Sequence, residues 1–184
     1  LSDDELVPVR RRIAMLFQGA ALFDSLTVQE NIEYPLREHL RMSAEEMRGR
    51  VAEVLDLVGL PGTENLKPAE LSGGMKKRVG LARAIAVKPD VIMYDEPTTG
   101  LDPVNTNRIN DLIIRTREVL GVTSIVVTHD MQSAFKVSER IAMLHERRIA
   151  YVGTKDEIAR SENPIIRSFI EGRPLTGGQA DQGK

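Results

Sequence analysis

Several residue types are scarce in this chain of 184 residues, and each shortage excludes a class of chemistry. Cysteine is absent, which excludes disulfides, thiol catalysis and cysteine-based zinc sites. Tryptophan is also absent and aromatic residues make up only 4%, so recognition of single-stranded nucleic acid by base stacking is disfavoured. Apolar runs are short throughout, well below the roughly 18 residues that a transmembrane helix needs.

The composition that remains is that of an ordinary globular protein. Hydrophobic residues make up 41% and charged residues 28%, which is enough apolar material to build a core. The formal net charge is only -2, so no excess of positive charge favours nucleic acid or an anionic membrane as a partner. The length favours one domain that carries an inserted subdomain.

The order of apolar patterns predicts an α/β fold. A short apolar run at 13–17 is typical of a buried strand, and helical spacing then dominates from 27 to 87. Strand-like runs at 91–94 and 123–128 flank a helical segment, which predicts parallel strands joined by a right-handed crossover. We therefore divide the chain into a core beginning at 1–23, a helical subdomain at 24–87, a returning core at 88–173 and a flexible tail at 174–184.

Two acidic residues and a histidine follow the predicted parallel strands. Asp95 and Glu96 come directly after the 91–94 strand, and His129 follows the next strand along the chain. Ligands of open α/β sheets bind at the carboxyl ends of the strands, so these side chains are expected to lie close together. Asp95 suits Mg²⁺, Glu96 suits proton acceptance from water, and His129 suits contact with a phosphate. A solvated strand end is the alternative interpretation.

A glycine pair opens the helix predicted at 72–87. Ser72 is placed to cap it, while Gly73 and Gly74 leave backbone N–H groups open to an anion. The cations at 76–78 lie where they oppose the helix dipole, which indicates either a nearby anion or a solvated face. Gln18 is predicted to end the first strand, where its carboxamide suits Mg²⁺ or a water. Asp102 precedes a proline at a helix start, where a plain N-cap is the alternative.

These segments together resemble the nucleotide-binding subunits of ABC transporters. LSGGMKKR resembles the signature motif, VIMYDEP the Walker B strand with its glutamate, LDP the D-loop and VVTHD the switch histidine. The resemblance implies a P-loop NTPase-like parallel sheet with an inserted α-helical subdomain. It assigns catalysis to Glu96, His129 and Gln18, Mg²⁺ to Asp95 and Gln18, and ATP contacts to Ser72, Gly73, Gly74 and Asp102.

A narrower resemblance concerns the transported substrate. Met75 stands where most of the family has glutamine, and with the segment at 163–172 this resembles the Mla/Mce-type ATPases that drive lipid transport across the bacterial envelope. This implies a head-to-tail pair of ATP-binding subunits, membrane permease subunits and a lipid-binding MCE-type protein as partners, with no nucleic acid. It also implies a peripheral location on the cytoplasmic face of the inner membrane.

The chain departs from the family in one motif. The Walker A pattern G-x-x-x-x-G-K-[ST], which cradles the phosphates, does not occur in the 184 residues. We therefore expect a sheet that is incomplete at its N-terminus, with an exposed apolar seam, unpaired edges and marginal stability when the chain is expressed alone. Two other functions stay open: a binding module that supplies only the signature half of a composite ATP site, and a soluble ABC ATPase without a transporter.

Overall fold

A computed structural model of the protein describes residues 2–173, so the tail predicted at 174–184 lies outside the described residues. The described chain divides into two compact units, of which the first ends at His129 and the second begins at Asp130. None of the described helices is long and apolar enough to cross a bilayer.

The first unit alternates helices with the strands of one sheet. Its elements are α1 (Asp3–Arg11), β1 (Ile13–Leu16), α2 (Val28–His39), α3 (Ala44–Leu57), α4 (Gly73–Ile85), β2 (Val91–Asp95), α5 (Pro103–Leu120) and β3 (Thr123–Val127). The three strands are parallel and lie in the order β1-β2-β3, which confirms the predicted α/β class.

The first strand is shorter than the apolar run that predicts it. β1 ends at Leu16, because the amide of Ala20 donates to the carbonyl of Phe17 at 2.8 Å and turns the chain there. Gln18 therefore lies in a turn and not at a strand end, so the sequence-based boundary was wrong.

The helices α2, α3 and α4 pack on one another through the apolar positions that define their helical spacing. Val28 and Ile32 of α2, Leu55 of α3 and Val79 of α4 have no exposed surface. Arg50 of α3 is also buried, and it donates to the carbonyls of Ile85 and Ala86 at the end of α4. The spacing of Ser43 and Glu46 in the sequence predicts a capping box, and the two residues form one at the start of α3.

The second unit contains a β-hairpin and three short helices among its described residues. They are α6 (Met131–Val137), β4 (Arg140–His145), β5 (Arg148–Thr154), α7 (Lys155–Ala159) and α8 (Pro164–Glu171). The apolar runs at 141–144 and 149–152, with a charged turn between them, predict a hairpin, and β4 and β5 are antiparallel. Met143, Ile158 and Ile166 form the buried centre of this unit.

One face of the parallel sheet carries exposed apolar side chains. Ile13 and Met15 of β1 are 42% and 36% exposed, and Ile125 and Val127 of β3 are 48% and 54% exposed. The register aligns Met15 with Met93 and Met93 with Ile125, so these side chains share one face. An apolar face of this kind favours association, and the marginal stability of the isolated chain stays a prediction.

Two helical glycines give opposite predictions for substitution by alanine. A Cβ on Gly80 of α4 would stand 3.0 Å from Leu16 Cδ1 and 3.1 Å from Ala20 Cβ, whereas Gly49 of α3 faces open space. Both substitutions gain about 0.5–1 kcal/mol of helix propensity. Gly80→Ala also overpacks a buried contact at a cost of about 1–3 kcal/mol.

We therefore expect Gly49→Ala to raise and Gly80→Ala to lower the unfolding midpoint of the full-length gene product that contains these residues. Thermal unfolding by circular dichroism measures both. Equal midpoints for the two variants would contradict the close packing of α4 on β1 and the turn that follows it.

Candidate functional site

The centre of the candidate site is the carboxylate of Glu96, directly after β2. Its Oε1 atom lies 2.8 Å from Nδ1 of His129 and accepts the backbone N–H of His129 at 3.1 Å. Its Oε2 atom accepts the hydroxyl of Thr99 at 2.8 Å. The predicted proximity of Glu96 and His129 is thus confirmed.

The parallel register explains why these two residues meet. Asp95 lies opposite Val127, and the amide of Glu96 donates to the carbonyl of Val127 at 2.9 Å. Both strands therefore end together, and the chain after β3 delivers His129 to the edge that carries Glu96. The His129 side chain is 72% exposed while that of Glu96 is 20% exposed, so the imidazole faces solvent beside a mostly covered carboxylate.

The backbone at Glu96 adopts an uncommon conformation. Its φ of 45° lies in the left-handed region, which costs a non-glycine residue of order 1–3 kcal/mol. Thr99 closes the turn through its amide, which donates to the Glu96 carbonyl at 3.3 Å. The turn is therefore held by contacts and not by backbone preference.

The ionisation of Glu96 follows from these contacts. Partial burial raises the pKa of its carboxyl group, but hydrogen bonds from His129 and Thr99 and the charge of His129 lower that pKa by more. The net pKa lies below the ordinary value of 4.5, so Glu96 is ionised at neutral pH. A lowered carboxyl pKa stabilises the folded chain at pH values above the ordinary pKa. This stabilisation is lost as the pH falls through the folded-state pKa.

The glycine-led start of α4 has the predicted form. Ser72 is exposed at the N-cap, and its hydroxyl oxygen accepts the amide of Met75 at 3.3 Å. Gly73 is exposed at the first helical position, where backbone N–H groups lack helical partners. A Cβ on Gly74 would stand 3.4 Å from Oδ1 of Asn105, so this helix tip packs closely on the start of α5.

Asp102 caps α5. Its Oδ1 atom accepts the amides of Val104 at 2.9 Å and Asn105 at 3.0 Å, and its Oδ2 atom accepts the Asn105 side-chain amide. This confirms the N-cap interpretation. Contact between Asp102 and a nucleotide stays a prediction.

Two of the three cations at 76–78 bind backbone carbonyl groups. Lys77 is buried, and its ammonium donates to the carbonyls of Glu96 at 3.2 Å and Thr99 at 2.8 Å. Arg78 donates to the carbonyls of Val58 and Gly59 at the end of α3. For Lys77 the solvated-face interpretation was wrong, because this buried ammonium group satisfies backbone carbonyl groups. A nearby anion stays a prediction.

The sequence pattern does not predict the partners of three donor residues near the candidate site, Lys77, Thr99 and Arg83. Arg83 of α4 donates to the carbonyls of Ala20 and Ala21, and so holds the turn that carries Gln18. Ala20 and Ala21 both have positive φ, and this strained backbone is what the guanidinium stabilises.

Two oxygen donors suitable for Mg²⁺ follow neighbouring strands, one at a strand end and one in a turn. Asp95 is the last residue of β2, and Gln18 lies in the turn after the adjacent strand β1. No group of three or more histidine, cysteine or acid residues able to hold a metal occurs within residues 2–173. Asp95 and Gln18 offer one carboxylate and one carboxamide oxygen, and these donor types fit Mg²⁺ when phosphate oxygens complete its coordination.

Comparison with known proteins relates the chain to one family and to ATP-binding proteins of transport systems. The family described as ABC transporter matches residues 1–99. The chain is 41% identical over 172 residues to the intermembrane phospholipid transport system ATP-binding protein MlaF of Haemophilus influenzae, covering 94% of this chain and 65% of that protein. It is 40% identical to the probable ribonucleotide transport ATP-binding protein mkl of Mycobacterium leprae, covering 95% of this chain and 50% of that protein.

A solved structure shares the fold. The ATP-binding cassette MJ0796, described as a dimer in a post-hydrolysis state bound to ADP and Pi, superposes with a TM-score of 0.74 at 39% identity. The match covers 84% of this chain and 68% of that one. The chain thus spans about two thirds of the length of the MlaF protein and half that of the mkl protein.

The contact with Thr99 predicts a shift in the ionisation of Glu96. Thr99→Val removes the hydroxyl donor at constant shape, so the pKa of the Glu96 carboxyl should rise toward its ordinary value. Carbon NMR titration of the side-chain carboxyl measures it. Glu46, whose pKa is lowered by Ser43, is the internal control and should not move. An unchanged Glu96 midpoint would mean that Thr99 does not hold the carboxylate in solution.

Proposed function

The chain belongs to the ABC transporter family, and we propose that it acts as an ATP-binding and ATP-hydrolysing subunit of a transporter. The observation that carries this proposal is the contact between the Glu96 carboxylate and the His129 imidazole at the carboxyl edge of the parallel sheet. The Glu96 carboxylate can accept a proton, and the His129 imidazole can form a hydrogen bond to a phosphate. Both lie at the edge where α/β sheets bind ligands.

Glu96 is the proposed general base. Its carboxylate is ionised at neutral pH, and once its hydrogen bond to Thr99 opens, it can take a proton from the water that attacks the terminal phosphate. His129, largely exposed beside it, would contact that phosphate and report its presence. Phosphoryl transfer depends mainly on such positioning and on electrostatic stabilisation.

Asp95 and Gln18 are the proposed holders of Mg²⁺, Gln18 also placing the water. When bound, the ion would neutralise charge on the phosphates. Arg83 keeps the turn of Gln18 in place through its two carbonyl contacts, so the carboxamide is presented by a fixed backbone.

The start of α4 is the proposed cover for ATP bound to a second subunit. Ser72, Gly73 and Gly74 present a capped helix N-terminus, which attracts anions through its N–H groups and dipole. Asp102, at the start of the neighbouring helix α5, would line the same interface. The dimeric state of the similar cassette bound to ADP and Pi supports a pair of subunits, for which we propose a head-to-tail arrangement.

We propose a lipid as the transported substrate. The resemblance of Met75 and the segment at 163–172 to lipid-transport ATPases supports this, as does the phospholipid named for the H. influenzae relative. The mkl relative is named for ribonucleotide transport, so the cargo needs a direct assay. The proposed partners are membrane permease subunits, docked near 18–31, and an MCE-type lipid-binding protein, at the cytoplasmic face of the inner membrane.

The test is ATP turnover and lipid movement by the full-length gene product, assembled with its permease in vesicles that contain labelled phospholipid. Glu96→Gln should lower ATP turnover by about 10²–10⁴-fold, the usual contribution of a general base, and should stop lipid movement while ATP binding persists. Glu118→Gln is the matched control, because Glu118 is exposed on α5, and it should leave both readouts unchanged.

The outcomes separate the competing functions. Turnover near the wild-type rate in Glu96→Gln would contradict the role of Glu96. Binding of ATP without any hydrolysis by the wild type would favour a module that supplies only the signature half of the site. Hydrolysis without movement of phospholipid would contradict the lipid assignment and favour an ABC ATPase with another task.

A further inference from the structure

Lys77 is a buried cation whose contacts fall on the loop that carries Glu96. It lies in the second turn of α4 with only 6% of its surface exposed. A buried ammonium group is costly unless its donors are satisfied, and here they meet the carbonyls of Glu96 and Thr99. Burial lowers the pKa of Lys77, and the negative charge of Glu96 opposes that effect.

The two carbonyls are the two ends of one tight turn. Within it the Thr99 amide donates to the Glu96 carbonyl, and the Thr99 hydroxyl donates to the Glu96 carboxylate. Glu96 has positive φ, so the backbone gives this turn no intrinsic support. By binding both ends, the Lys77 ammonium fixes the peptide from which the Glu96 side chain projects.

The neighbouring cation on α4 does not share this task. Arg78 donates to Val58 and Gly59, which belong to the end of α3. Of the two, only Lys77 is directed at the turn after β2. Its position four residues beyond Gly73 also places it on the same rigid helix as the glycine tip, one turn away.

We propose that Lys77 is a positioning residue for ATP hydrolysis, which sets the place of the Glu96 carboxylate by tying the Glu96–Thr99 turn to α4. This inference rests on the proposed function. The Ser72–Gly74 start of α4, which is proposed to cover a nucleotide bound to the partner subunit, is connected through the Lys77 ammonium group to the Glu96 carboxylate of the same chain. A displacement of the tip is thereby passed to the general base.

The experiment compares Lys77→Met, Lys77→Arg and the control Lys88→Met in the full-length gene product assembled with its partner subunits. Methionine keeps the buried stem and removes the donors, whereas arginine keeps donors. Lys88 is exposed after α4. Because a displacement of about 1 Å in a catalytic group costs up to about 10²-fold, we expect kcat to fall about 10- to 100-fold in Lys77→Met. The KM for ATP should stay within about two-fold, since the altered turn acts on the general base and not on uniform binding.

Lys77→Arg should retain more than about half of the wild-type kcat, and Lys88→Met should retain all of it. The assays are run at temperatures well below the unfolding midpoint of each variant. If Lys77→Met does not fold, Lys77→Gln, which stays polar but removes the ammonium group, takes its place with the same expectation of a kcat loss at constant KM. A kcat near the wild-type value in the folded Lys77 variant, or equal losses in kcat and in ATP affinity, would overturn the inference. A wild type that hydrolyses no ATP would instead overturn the proposed function.

Discussion

The candidate site depends on the in-register pairing of two parallel strands, which positions the carboxylate of Glu96. β2 ends at Asp95 and β3 at Val127, paired in register, so Glu96 and His129 leave the sheet at the same edge. The bond from the Glu96 amide to Val127 extends this pairing by one residue. Because the strand pairing fixes both backbones, the Glu96 carboxylate and the His129 imidazole come into contact within two residues of their strand ends.

Helix α4 organises the surroundings of that edge through cations that bind backbone carbonyls. Arg83 holds the strained turn before α2, and Lys77 holds the turn after β2. Arg50 in turn caps the end of α4 from α3. Each contact runs from a helix side chain to backbone carbonyl groups of a turn or a helix end, so helices hold the segments that surround the candidate site.

The sequence predicts what depends on local pattern. Strands, helix caps at Ser43, Ser72 and Asp102, and the meeting of Glu96 with His129 follow from periodicity, capping chemistry and parallel connection. The partners of Lys77 and Arg83 do not follow, because their acceptors are backbone carbonyls 19 to 63 residues away, and every residue offers one. Helix α1 was also missed, although Ser2 and Glu5 form a capping box.

We propose that the sheet edge with Glu96 and His129 in one subunit and the start of α4 in its partner bind opposite sides of the same ATP. A structure of the full-length gene product with Mg²⁺ and a non-hydrolysable ATP analogue tests it most directly. We expect the terminal phosphate within hydrogen-bonding distance of His129 in one subunit and of the Ser72–Gly74 segment in the other. A nucleotide bound away from Glu96 and His129, or a dimer with Ser72 turned from the phosphates, would contradict it.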